Sequence, residues 1–196
     1  MNKKYFPYII GAVLVVMGLY LITTYNSLVK KDEKVKLQWS EVQNAYQRRL
    51  DLIPSLLNTI KGTAGFEANV LQEVTEARAK ANFVNVSANN VSGNAYEAQK
   101  QAQNELVASA NNLLITIEKY PELQSTKSFI LFQNDLKRTE LRIKVARKDF
   151  NEAIQGYNSG VRGFPTKMVA GMFGFAPRNG FKSDAGAEKS TEIKFK

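Results

Sequence analysis

Hydrophobic and polar positions divide this chain into two regimes. From Pro7 to Tyr25 no charged residue occurs, and Lys3 and Lys4 precede the stretch. As a helix rising about 1.5 Å per residue it extends roughly 28 Å, close to the roughly 30 Å hydrocarbon core of a bilayer. Ile9, Ile10, Val13, Leu14, Val15, Val16, Leu19, Leu21 and Ile22 each favour insertion by about 0.3–0.6 kcal/mol. The run is longer than the apolar part of a cleaved signal peptide, about 7–15 residues. Thr23-Thr24-Tyr25-Asn26-Ser27 offers no small-x-small cleavage pattern, and Tyr8, Tyr20 and Tyr25 sit near the two ends. Residues 1–25 therefore read as an uncleaved single-span anchor, without the GxxxG spacing of a dimerisation face. Counting Lys3 and Lys4 against Lys30, Lys31, Lys34 and Lys36 tilts the main domain toward the cytoplasm. A short basic head before an apolar run equally suits a signal-anchor that exports the rest of the chain, and both orientations stay open.

Beyond the anchor the apolar residues acquire a helical period. Val35, Trp39, Val42, Tyr46, Leu50, Ile53, Leu57, Ile60 and Ala64 recur at spacings of three and four, one stripe close to a coiled-coil seam. No turn signal separates this stripe from the anchor, so the membrane helix is expected to continue outward as a stalk. Phe66, Val70, Val74, Ala77 and Ala81 extend the stripe. Pro54 lacks the N–H for the i→i−4 bond and its ring crowds the carbonyl of Leu50, so the helix either ends and turns back or continues with a kink. The stripe crosses Pro54 in phase, which favours the kink. Gly62 and Gly65 soften the next turns. Residues 82–94 are rich in Asn, Ser and Gly and read as a loop; the sequons at Asn85 and Asn90 are chance matches in such a composition.

A second helix is expected from Ala95 to Lys119, with Ala102, Leu106, Ala110, Leu113 and Ile117 on its buried face and Tyr120-Pro121 ending it. A third spans about Ser128 to Tyr157, buried through Phe129, Phe132, Leu136, Ile143, Phe150, Ile154 and Tyr157. Glu140 and Lys144 form a favourable i,i+4 pair on its surface, and Gly156, Gly160 and Gly163 are expected to break it. Residues 161–181 carry Phe164, Met168, Val169, Met172, Phe173, Phe175 and Phe181. That is too apolar for a free tail. The segment either forms a short fourth helix closing the bundle or lies on a membrane or partner. Residues 182–196 look disordered.

Composition changes the picture mainly by exclusion. Cysteine and histidine are both absent. Disulfides, thiolate metal sites, Ser-His-Asp triads, Cys-His pairs, zinc sites and the Glu-x-x-His di-iron site are excluded. The chain holds 27 Lys and Arg against 18 Asp and Glu, a net charge of +9. The excess collects in residues 127–182, with eleven basic and four acidic side chains. Such a region meets anionic lipid or an acidic partner, or is simply a solvated face. Lys137, Arg138, Arg142, Lys144, Arg147 and Lys148 give the third helix a basic face, broken by Glu140, Asp149 and Glu152. Its aromatics sit at core spacing, so nucleic-acid binding is not expected. Arg48, Arg49 and this face are the candidate partner contacts, and Trp39 reads as core.

Candidate chemistry is sparse. Ser27-Leu28-Val29-Lys30 has the S-x-x-K spacing of Ser-Lys hydrolases. The lysine would have to be desolvated, yet Lys30 opens a charged run at the lipid boundary. Glu73 with Glu76, and Asp149 with Glu152, are i,i+3 carboxylate pairs short of a metal site's ligand count. Gly171-x-x-Gly174 lacks the strand and lysine of a phosphate loop. No catalytic, cofactor-binding or metal residue is assigned.

Several segments in order resemble the LemA family: Val42-Gln-Asn-Ala-Tyr-Gln-Arg-Arg49, Asp51-Leu-Ile-Pro-Ser-Leu-Leu-Asn-Thr-Ile-Lys61, Thr139-Glu-Leu-Arg-Ile143, Tyr157-Asn158, and Phe164-Pro165 through Phe173-Gly174-Phe175. The resemblance runs from the anchor to about Phe181. Ser55 departs from it, where many members carry Asn. It implies a single-pass bacterial membrane protein with an elongated antiparallel helical domain and no established enzymatic activity or cofactor. Some relatives are associated with forming or remodelling internal membranes. The expected fold is all-α: one transmembrane helix continuing into three long antiparallel helices plus a short C-terminal fourth. Residues 1–25 are the anchor, 26–181 the bundle and 182–196 the tail. The expected function is a non-catalytic interaction or scaffold protein of the bacterial cell membrane, binding a protein or anionic lipid, with no nucleic acid and no small-molecule substrate. Membrane remodelling through the apolar C-terminal segment, or a Ser/Lys or carboxylate hydrolase, are the alternatives.

Overall fold

The computed structural model describes residues 5–61, 66–84 and 93–181. The expected loop, with Asn85 and Asn90, lies mostly outside the described residues, as does the tail from Lys182. Among the described residues the chain is all-α: α1 Phe6–Ile60, α2 Ala68–Phe83, α3 Gly93–Ile117, α4 Pro121–Gln124, α5 Lys127–Arg162 and α6 Thr166–Met172.

α1 is one helix of 55 residues. Its first part is long and apolar enough to cross a membrane. Ile9, Ile10, Val13, Leu14, Val15, Val16, Leu19 and Ile22 all lie on its surface, with no other element packed over them. From Leu28 onward the same helix becomes one wall of a bundle. Val35, Trp39, Val42, Tyr46, Leu50, Ile53 and Ile60 are buried, as the stripe predicts. Toward the end Leu56 is fully buried and Leu57 only partly. A straight helix drifts about 20° per heptad from a 3.5-residue seam, so the apolar face has moved by one position there.

The helix passes through Pro54, and the structure shows what the proline costs and how that cost is offset. Pro54 has no N–H to give the carbonyl of Leu50, four residues earlier. Arg78 of α2 supplies the missing donor, its Nε reaching the Leu50 oxygen at 3.0 Å. The expectation that α1 would run on through Ala81 is not met. It ends at Ile60, and Ala68–Phe83 is a separate helix whose Arg78 lies back beside Leu50, so α2 runs antiparallel to the end of α1. Gly62 and Gly65 fall between them, and each glycine disfavours helix by about 1 kcal/mol relative to alanine.

α3 returns alongside α2. Lys80 with Glu105, Asn112 with Glu73 and Lys119 with Glu67 fix the antiparallel register. All five predicted core residues of α3 are buried. α5 begins at the N-cap Thr126, whose hydroxyl accepts from the Phe129 N–H at 3.3 Å, and runs antiparallel to α1 back to its apolar stretch. It does not break at Gly156 or Gly160 but continues to Arg162. At Gly160 a Cβ would lie 3.0 Å from Lys31 Nζ and 3.4 Å from Leu28 Cδ2, so glycine there permits close approach to α1. Gly156 faces open space, and nothing in the structure explains it.

Two cores result. The far one joins α1 beyond Leu50, α2, α3, Leu123, Phe129 and Phe132. The near one is formed by α1 and α5 alone, from Leu28 to Tyr46 and from Ile143 to Val161, with Ala170, Phe175 and Phe181 closing it. Trp39 is fully buried there, its ring centroid 5.2 Å from Phe150 and 6.0 Å from Phe181.

Substituting Arg78 by Met should cost about 1.5–3 kcal/mol, the range for a charge-assisted hydrogen bond. In a Pro54→Ala background the restored N–H takes the Leu50 carbonyl, and the same substitution should cost clearly less. A double-mutant cycle by urea unfolding measures this coupling; equal costs in both backgrounds would show that Arg78 does not replace the proline's missing donor.

Candidate functional site at the base of the near core

Residues singled out in the sequence fall in three places. Arg49, offered as a partner contact, is in fact 4% exposed. Its Nε and Nη2 donate to Glu140 at 2.8 and 2.6 Å, and its Nη1 donates to Gln103 at 3.0 Å. Glu140 therefore turns both oxygens to α1, not along its own helix to Lys144. Arg147, counted on the basic face, turns inward too: Nε and Nη2 donate to the Tyr46 hydroxyl at 2.9 and 2.7 Å. Burial pushes the Tyr46 phenol above the ordinary tyrosine range, and Arg147 partly offsets it. These groups form a polar layer between the two cores. Arg48 stays on the surface 4.0 Å from Asp135, which also meets Arg138 at 3.8 Å, and Lys148 meets Glu152 at 3.5 Å. What remains of the basic face is thus dispersed.

Ser27 and Lys30 are both exposed. Ser27 lines a small cleft with Thr23, Thr24, Lys31 and Thr166, and Lys30 is not part of that lining. Among the described residues no group of three or more acidic side chains is placed to hold a metal ion.

The third place is where the near core meets the end of the apolar stretch, and here the C-terminal segment takes a form the sequence reading left open. α6 forms as a short helix with Val169 and Ala170 buried against the bundle. Gly174 then adopts φ +76°, a turn that glycine makes without strain. From there the chain runs as a strap up the groove between α1 and α5. Phe173 and Phe175 pack on Tyr25, with ring centroids 4.9 and 5.7 Å away, and Phe181 reaches Trp39. Tyr25 to Trp39 is about 21 Å of helix, and six extended residues cover about 20–22 Å. The strap is therefore fully drawn out.

Two asparagines of α5 hold it. Asn158 donates to the Arg178 carbonyl at 2.7 Å and accepts from the Arg178 N–H at 2.8 Å. Asn151 does the same for Phe181, at 3.1 and 2.8 Å. Seven helical residues rise about 10.5 Å and three extended residues span about 10–11 Å, so the two spacings match. A Cβ on Gly180 would come within 2.6 Å of the Asn151 oxygen, which explains the glycine. Arg178 also meets Asp32 of α1 at 2.8 Å and lies over the Tyr157 ring. Burial, with Asp32 next, raises the Tyr157 pKa, against the Arg178 charge. Asn151 was not singled out, and Asn158 entered only with the family-like pair Tyr157-Asn158. The available signal was two amides seven residues apart beside the core positions Phe150, Ile154 and Tyr157, where an unpaired polar group would be costly.

A sequence model of the LemA family matches residues 38–195. Protein LemA of Metamycoplasma hominis is 23% identical over 145 residues, covering 74% of this chain and 63% of that protein. Magnetosome proteins MamQ 1 and MamQ 2 of Paramagnetospirillum magneticum are each 24% identical over 174 residues, covering 79% of this chain and 63% of theirs. The chain thus spans 63% of the length of each of these relatives.

Removing Glu140 leaves the Arg49 charge buried with only neutral Gln103 as partner, whereas removing Arg49 lets half-exposed Glu140 rehydrate and strands one neutral oxygen, that of Gln103. Glu140→Ala should therefore cost about 2–3 kcal/mol and Arg49→Met less, as measured by chemical denaturation. Asn151→Ala and Asn158→Ala should each remove about 1–3 kcal/mol from the strap's attachment. Hydrogen exchange should accelerate at the Phe181 and Arg178 amides respectively, with little change in global unfolding.

Proposed function

The chain belongs to the LemA family, and on that premise we propose that it is a membrane-anchored, non-catalytic helical protein of the bacterial cell membrane that works by binding a protein or lipid partner at the bilayer. The observation that carries this reading is the first part of α1. Its large apolar side chains are exposed on all sides in the folded chain, which in water would cost about 25 cal/mol per Å² of apolar surface. A bilayer removes that cost. The same helix carries the bundle, so the far core stands off the membrane at a fixed height.

The lack of catalytic function is supported by chemistry already described. Ser27 and Lys30 are solvent-facing, and the polar groups between the two cores, Arg49, Glu140, Gln103, Tyr46 and Arg147, are bonded to one another. They hold helices in register.

The test is cross-linking in native bacterial membranes with the full chain. The expected result is a reproducible protein or lipid partner, retained when Ser27 and Lys30 are both replaced by Ala. Release of the chain from membranes by an alkaline carbonate wash contradicts the anchor. Loss of phenotype in the double substitution, with expression and insertion intact, contradicts the non-catalytic reading.

A further inference from the structure

α6 and its flanks leave a second apolar surface unexplained. Phe164 is 87% exposed, Met168 66%, Met172 72% and Phe173 51%. Phe164, Met168 and Met172 recur at every fourth position, while Val169 and Ala170 turn into the bundle. Packing against the protein thus accounts for one side of this segment only.

Its position indicates what covers the other side. Phe173 packs on Tyr25, near the end of the apolar run of α1 and five residues before Lys30, the first charge that follows it. Thr166 shares a cleft with Thr23, Thr24 and Ser27. The exposed apolar side chains therefore sit at the height where the span meets water. At about the same level along the bundle, Lys31 lines that cleft, and Lys30, Lys31, Arg162 and Lys167 make no ion pair with any described residue. The nearby acids are already engaged: Asp32 with Arg178 and Lys36, and Glu33 with Lys36. Large apolar groups and uncompensated cations at one level match the boundary between acyl chains and anionic headgroups, where an amphipathic segment lies about 5–10 Å deep.

We propose that the segment from Phe164 to Phe173 is a second membrane contact, seated in the headgroup boundary of the same leaflet from which α1 emerges. Its occupant is the bilayer, with anionic phospholipid opposite Lys30, Lys31, Arg162 and Lys167. A single span lets a bundle tilt and rotate about its axis. A second contact on one side of α1 fixes both, and through the strap it fixes the orientation of the α1–α5 pair. This inference rests on the membrane reading above and adds to it a defined side of approach.

The natural absence of cysteine makes the test direct. Single substitutions Met172→Cys and Phe164→Cys, both at exposed positions, are labelled with an environment-sensitive fluorophore. The full chain is reconstituted in vesicles of phosphatidylcholine and phosphatidylglycerol containing lipid spin-labelled near the headgroup. Val15→Cys reports the span and Leu141→Cys the bundle far from it. Quenching several-fold stronger at residues 172 and 164 than at 141, and weaker in vesicles of phosphatidylcholine alone, is the expected result. Quenching at 172 and 164 no greater than at 141, with Val15→Cys in the bilayer, overturns this inference and leaves the anchor standing. A blue shift at 172 without lipid quenching assigns the surface to a protein, such as a second copy, and also overturns it. A Val15→Cys probe that stays in water removes the anchor and this inference together.

Discussion

The unbroken backbone of α1 couples everything else in the molecule. At about 1.5 Å per residue its 55 residues give a rod of roughly 80 Å, whose first part is dressed for lipid and whose remainder is dressed for a core. No break in its backbone separates the two, so the apolar end and the residues Trp39 and Ile53 belong to one continuous helix. The weakest point of that rod is Pro54. A helix interior that contains proline forfeits a hydrogen bond and strains the preceding turn, by about 3 kcal/mol. Continuity beyond Leu50 thus depends on side chains from elsewhere, and Arg78 places a charged donor on the orphaned carbonyl. The far core depends on the same contact, because α2 is the element that brings Arg78 there and also the element against which α3 packs.

The polar layer around Arg49 lies between the two cores of the bundle. On one side four helices bury a core among themselves. On the other only α1 and α5 remain, and two antiparallel helices cannot enclose Trp39, Phe150 and Tyr157 unaided. The strap solves this with little material. Its extended backbone would leave carbonyls and N–H groups bare against an apolar groove, which is costly. Asn151 and Asn158 each present one acceptor and one donor and so match the peptide groups of Phe181 and Arg178. The pairing reads backbone and spacing, while Phe181, tilted against Trp39 and edge-on to Phe150 with Arg147 over its ring, supplies the apolar cover.

Whatever obeys a single local period was legible in the sequence. The five buried residues of α3, the stripe of α1 and the apolar face of α5 follow from spacing alone, and so does the bilayer-length run. What was not legible depends on neighbours distant along the chain. Glu140 has a suitable partner four residues away in Lys144, worth a few tenths of a kcal/mol, but a buried guanidinium with nowhere else to go is the stronger claim on it. Gly160 reads as a helix breaker until α1 is placed against it. Arg49 reads as a surface cation until α3 brings Gln103 over it. The turn-back after Lys61 was hidden because the apolar period continues through Val70 and Val74, and a stripe reports which face is buried without reporting against which helix. At the site the apolar character of residues 164–175 was plain, while its division into a buried side, an exposed side and a strap needed the positions of Tyr25 and Trp39.

That division bears on how a protein with no histidine and no cysteine can act. Among the described residues the ion pairs inside the bundle include Arg49 with Glu140 and Arg178 with Asp32, while Lys30, Lys31, Arg162 and Lys167 lie at the level of its base. What the fold does concentrate is position. The antiparallel α5 returns the chain to the level where the apolar run of α1 ends, and the turn at Gly174 hands it to a strap that climbs again. The chain therefore visits the base of the near core twice, in α1 at Tyr25 and again at α6. The C-terminal segment is tied to α5 through Asn151 and Asn158, and to α1 through the Arg178–Asp32 ion pair and the rings of Tyr25 and Trp39. Contacts made at the base and the seating of the strap between α1 and α5 are thus coupled through the same side chains.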